Sequence, residues 1–176
     1  MSILLVLGSF LIVIFLLNKQ AFFQMTSTNT FLVQKLSNAR WFHNQWYSGI
    51  FLFFLNAILF SVAVLLILLS GKLTIPYLHL AIMLLATIVS IYLWLSIHHA
   101  EEKGKRERVI MSAIGSSFYL LLLAVFVYMI VNLGPGTPEN DTFMAFIGLL
   151  FASFVSFIAL ITCFCITGLS KKQYKN

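Results

Sequence analysis

Two adjacent histidines, His98 and His99, are followed by Ala100, Glu101 and Glu102, and a third histidine, His43, lies upstream. On a continuous helix His98 lies beside Glu101 and Glu102, and His99 lies beside Glu102. Imidazoles and carboxylates on one face can bind a divalent metal. His98, His99, Glu101 and Glu102 are therefore the candidate metal set, with His43 drawn in from a neighbouring helix end. The plainer reading is a basic helix terminus, where His⁺ complements the helix dipole and the charged neighbours pair with one another. No H-E-x-x-H, repeated E-x-x-H or cysteine ligand set accompanies them. His79, at the opposite end of the same apolar run, is a membrane thickness away.

Nucleophiles are present without bases. Ser112, Ser116, Ser117, Ser153 and Ser156 lie in apolar runs where no facing His, Asp or Glu is expected. Cys163 and Cys165 are two residues apart, about 200° around a helix, so they face opposite ways and read as packing residues. No residue is assigned a catalytic role and no cofactor is expected. The signature residues of disulfide-forming membrane oxidoreductases, of rhomboid and CAAX-type proteases, of pheromone-processing enzymes and of bacteriocin immunity proteins do not occur in order.

The elements that carry these residues follow from composition. The 176 residues are 61% hydrophobic and 9% charged, with a mean hydropathy of +1.00. So short a chain cannot hide that much apolar surface from water, which excludes a soluble globule, a disordered chain and a disulfide-stapled module. The expectation is an all-α, polytopic transmembrane bundle in one membrane domain. Its five spans are placed at residues 3–23, 49–69, 77–97, 109–133 and 143–169. The strictly apolar part of the first stops at Leu17, so it covers roughly 23 Å of the ~30 Å hydrocarbon core unless it continues through Phe22 and Phe23. Ser70 to Pro76 forms a short hairpin connection, Gly134-Pro135-Gly136-Thr137-Pro138 is a strong breaker, and Asp141 or Thr142 is available to cap the last helix. Asn140-Asp141-Thr142 also matches a glycosylation pattern, but its place against a helix start reads as capping.

Charge orients the bundle. Ten of the eleven lysines and arginines fall on one side: Lys19, Lys35, Arg40, Lys103, Lys105, Arg106, Arg108, Lys171, Lys172 and Lys175, against Lys72 alone. The positive-inside rule then puts the N-terminus out and the C-terminus in, with residues 170–176 a basic cytoplasmic tail. The net charge of +6 thus reports orientation, and no nucleic acid is implied. Residues 24–48 read as a cytoplasmic, amphipathic, interfacial segment. At about 100° per residue, Phe31, Leu32, Leu36, Ala39, Phe42, Trp46 and Tyr47 share one arc, opposite Gln34, Ser37, Asn38, Asn44 and Gln45. Lys35, Arg40, Trp41 and Trp46 are its interfacial anchors.

The remaining polar residues read as helix packing. Gly148, Ala152 and Ser156 recur every four residues, Ser112 and Ser116 form a similar pair, and Asn56 in the second span is placed to hydrogen-bond across an interface. Apart from His79 and the cysteines, the spans lack readily ionisable side chains, unlike most pumps and ion-coupled transporters. The expected function is that of a small membrane protein acting through helix–helix contacts, as an accessory, regulatory or immunity-type subunit. Its partners would be the lipid bilayer and a membrane-protein partner or a second copy of itself. A small-molecule or lipid carrier working as an oligomer is the alternative, and a membrane enzyme using the His/Glu metal site is a second. Lysines outnumber arginines eight to three, as an AT-rich bacterial genome would give, so the expected location is a bacterial cytoplasmic membrane.

Overall fold

The computed structural model describes residues 31–72, 78–100, 104–134 and 141–169, the side chains of Phe31, Leu32, Arg40 and Trp41 excepted. The expected first span, 3–23, and the basic tail, 170–176, lie outside the described residues. Within them the chain is all-helical, with no strand. It runs through α1 (Phe31–Ser37), a 3-10 turn (Arg40–His43), α2 (Gln45–Lys72), α3 (Leu78–Ala100), α4 (Lys105–Val131), α5 (Thr142–Phe164) and a π turn (Cys165–Leu169). Four helices, α2 to α4 and α5 with its π turn, are long and apolar enough to cross a membrane.

The starts of α2, α4 and α5 move outward from the apolar runs for local reasons. α2 starts four residues before Gly49 because Asn44 caps it: the Asn44 side-chain oxygen accepts from the Trp46 amide at 3.0 Å, and its carbonyl accepts from the Ser48 amide at 3.1 Å. α4 starts at Lys105, taking the charged stretch 105–108 into its first turn. α5 is capped by Asp141, whose carboxylate accepts from the Phe143 and Met144 amides at 3.1 and 3.3 Å.

The amphipathic stretch differs from the single arc read off the sequence. It breaks after Ser37, whose hydroxyl turns back to donate to the Gln34 carbonyl at 3.2 Å, and it resumes as the 3-10 turn before Asn44 opens a new helix. Val33 and Phe42 are buried in the core, while Trp46 and Tyr47 are more than half exposed. The break divides the apolar arc between protein and surroundings. A continuous helix would present it all to one side.

α4 is the central element, packed against α2, α5 and the π turn; α3 lies against α2, α1 and the π turn. Burial is concentrated at the end of the bundle that carries Lys105, Arg106 and Arg108. Leu52, Ile97, Met111 and Ile166 are almost completely covered there. Towards the other end large apolar side chains such as Leu65, Leu84, Tyr128 and Phe143 stand mostly exposed on all four spans. The close α2–α4 contact depends on Gly115: a Cβ there would run into Leu52 of α2, whose own Cβ would lie only 2.8 Å away.

Gly115→Ala should accordingly force the two helices apart and lower stability by about 1–3 kcal/mol, the usual cost of overpacking. Unfolding of the full chain in mixed micelles of rising SDS fraction measures this. Gly71→Ala, where a Cβ meets nothing within 4 Å, is the matched control and should stay within about 0.5 kcal/mol.

Candidate functional site

The polar groups buried in the apolar bundle converge on Asn56. Its side chain is fully buried and joins all four long helices. Asn56 Nδ2 donates to the Gly115 carbonyl of α4 at 3.1 Å and lies 3.7 Å from Cys163 Sγ of α5, which accepts from it. Its Oδ1 accepts from Trp94 Nε1 of α3 at 2.9 Å. An amide buried among aliphatic side chains must find protein partners, since hydrocarbon offers none. Gly115 supplies a carbonyl because its missing side chain lets α2 come close enough to reach it.

Aromatic rings extend the junction. Tyr119 meets Trp94 edge-on, centroids 6.0 Å apart, and Phe118 at 5.4 Å. Phe118 in turn meets Phe53 of α2 at 5.6 Å. Below this, Thr167 donates to the Cys163 carbonyl at 2.7 Å within the widened π turn. That turn brings Gly168 against α4, where a Cβ would collide with the Ser112 hydroxyl. π turns inside helices often mark special sites; this one lets α5 continue past Cys163 with its backbone against α4.

The sequence-selected residues distribute unevenly. Ser112, Ser116 and Ser156 are buried, and Ala152 is half-buried. Ser112 and Ser116 turn their hydroxyls onto the Val109 and Ala113 carbonyls of their own helix, at 3.0 and 3.4 Å. Gly148 is exposed, with open space where a Cβ would stand, so no close approach within the chain uses it. It lines an open groove of about 590 Å³ between the end of α4 and the start of α5, with Tyr128, Asn132 and Ala145. Lys35 and Trp46 are exposed. Cys163 is buried and Cys165 partly exposed, both as free thiols.

His98 is 2% exposed and His99 half-buried in the last turn of α3, their rings edge-to-face at 5.7 Å. His99 Nδ1 donates to the Leu95 carbonyl at 2.8 Å, and exposed His43 donates to the Ala39 carbonyl at 3.2 Å. These acceptors fix the proton on Nδ1. Glu101 and Glu102 lie outside the described residues. Among the described residues no group of three or more His, Cys, Asp or Glu is placed to hold a metal ion. Arg108 Nε and Gln45 Oε1 are buried at this end without a hydrogen-bond partner among the described residues.

Trp94, Gly115 and Gly168 are residues the sequence reading did not single out. Trp94 carried a signal: it lies six residues before the end of α3, roughly 9 Å deep and so below a surface belt. Gly115 was visible only as a small neighbour of the serine pair, and nothing in the sequence marked a π turn at Gly168.

Asn56→Leu should cost about 1–3 kcal/mol, because the Trp94 N–H loses its acceptor inside the bundle. Trp94→Phe should cost about 0.6–2 kcal/mol, the range for hydrogen bonds between membrane helices. The double variant should fall short of the sum, since each change removes the same bond. SDS unfolding of the four proteins reads the coupling, and strict additivity would show the bond to be inert. No family model matches the chain, and no curated protein or solved structure matches it either.

Proposed function

We propose that the chain is a five-span protein of the bacterial cytoplasmic membrane, N-terminus out and C-terminus in, that works by contact between its helices and those of a larger membrane complex. In this reading it is an accessory, regulatory or immunity-type subunit. The observation that carries it is the contrast between the two halves of the bundle. In one half the interior polar groups are spent on one another around Asn56. In the other, large side chains of all four described long helices face outward: Tyr128 is 69% and Phe143 68% exposed. Such a molecule holds its own fold at one end and offers apolar helix faces at the other. Orientation rests on the ten-to-one distribution of lysine and arginine.

Two experiments test this reading. The full chain, tagged and expressed at its native level, should leave native membranes in mild detergent with a second membrane protein at fixed stoichiometry. Tagging that second protein should recover this chain. A monodisperse monomer from both directions would remove the subunit reading. For orientation, an impermeant thiol reagent on intact cells should label a cysteine placed at Gly136 and spare one at Gly104 or Gln173. The reverse pattern inverts the topology, and equal labelling means that the third and fourth apolar runs do not cross as drawn.

A further inference from the structure

Cations outnumber acids at the basic end of the bundle. In the five-span arrangement ten lysines and arginines share that side with three side-chain carboxylates, Glu101, Glu102 and Glu107. The excess of seven has no counter-charge among the side chains there. Three of these cations crowd the start of α4, where Lys105 and Arg106 are exposed and Arg108 is half-buried, with Glu107 the one acid described beside them.

Arg106 also heads an uncovered stripe of α4. At about 100° per residue, Arg106, Ile110, Ala113, Ser117 and Leu120 share an arc roughly 80° wide. Arg106 and Ala113 are exposed and Leu120 is 56% exposed, while Ile110 and Ser117 are half-buried. The buried Met111, Gly115 and Tyr119 lie on the opposite side of the helix. Ser117 turns its hydroxyl to the Ile114 carbonyl at 2.6 Å, so below its cation the stripe presents an apolar surface. From Ile110 to Leu120 the helix rises about 15 Å, half of the ~30 Å hydrocarbon core and so the depth of one leaflet. Exposed Trp46 and Tyr47 start α2 at the same end, since a Cβ on Gly49 would stand 3.2 Å from the Met111 carbonyl oxygen of α4. Indole and phenol rings favour the headgroup level.

We propose that the start of α4 holds one anionic phospholipid, its phosphate on Lys105 and Arg106 and one acyl chain along the Ile110–Leu120 stripe. Charge selects this occupant: a zwitterionic lipid carries its own cation beside the phosphate and leaves the excess in place. The Arg106 guanidinium can fork two phosphate oxygens, and the Lys105 ammonium adds a point charge. The site rests on the sidedness of the lysines and arginines in the five-span reading, and not on the existence of a protein partner.

The full chain in mild detergent, offered equal amounts of phosphatidylglycerol and phosphatidylcholine with identical acyl chains and read by native mass spectrometry, tests it. Two cations, each worth about fivefold, should give a roughly thirtyfold preference for phosphatidylglycerol in the first lipid bound. Lys105→Gln with Arg106→Gln should lose that preference, and Lys105→Arg with Arg106→Lys should keep it. Lys72→Gln, at the opposite end, should stay within about twofold of the parent. A diazirine in the acyl chain of phosphatidylglycerol should label residues 110–120 of the parent and not of the double Gln variant. Equal retention of the two lipids overturns the proposal, as does the same loss from Lys72→Gln or labelling spread evenly over the four long helices. Displacement of the lipid by inorganic phosphate overturns it in favour of a bare anion site. None of these failures touches the orientation, which thiol labelling reads separately.

Discussion

A primary amide in hydrocarbon must be satisfied by the protein around it, and the satisfaction of Asn56 orders the rest of the bundle. One side chain can reach α3, α4 and α5 together only if those helices meet α2 at one depth and in one rotation. Close apolar packing tolerates sliding and small rotations of one smooth helix on another, because every register offers similar contacts. A directional bond does not. Trp94 fixes α3 through an N–H that donates to Asn56 Oδ1. Gly115 fixes α4 through a carbonyl that any larger residue would hold out of reach. Cys163, a weak acceptor, contributes position more than energy.

The asymmetry of the molecule follows from where this junction lies. Without water there is no hydrophobic drive between helices, so they stay together where shape or hydrogen bonds hold them and diverge where neither does. The small-residue stripe of α5 records the change: Ser156 is buried, Ala152 half-buried and Gly148 exposed. All three have the size for close packing. Only the one nearest the Asn56 junction is fully engaged within the chain. Small residues permit approach; they do not compel it.

That distinction explains what the sequence could and could not reveal. Four helices were legible from apolar length, and the cap at Asp141 from its residue type, because these depend on local chemistry. Asn56 was legible as a buried donor and acceptor, but its partners were not. Gly115 and Trp94 become partners only through the relative rotation of three helices, which no local pattern encodes. The amphipathic stretch misled for the reverse reason. Its periodicity through residues 31–47 is real, yet the Asx cap at Asn44 and the turn after Ser37 win locally and send Val33 and Phe42 inward. The π turn was invisible because the close approach of Gly168 to Ser112 that accompanies it is a tertiary relation that no local pattern carries.

The junction and the basic residues occupy the same end of the bundle, and this joins two separate constraints. Arginines and lysines at a helix end fix how deep that end sits, since their heads stay with water and headgroups. Asn56 fixes how the helices sit relative to one another. Exposed Lys105 and Arg106 begin α4, and nine residues after Arg106 the same helix supplies Gly115 to Asn56, a rise of about 14 Å. Depth and register are therefore set within three turns of one helix. Everything beyond Tyr119 hangs from that fixed end, with apolar faces free to adapt to lipid or to another helix without disturbing the bonds that hold the fold.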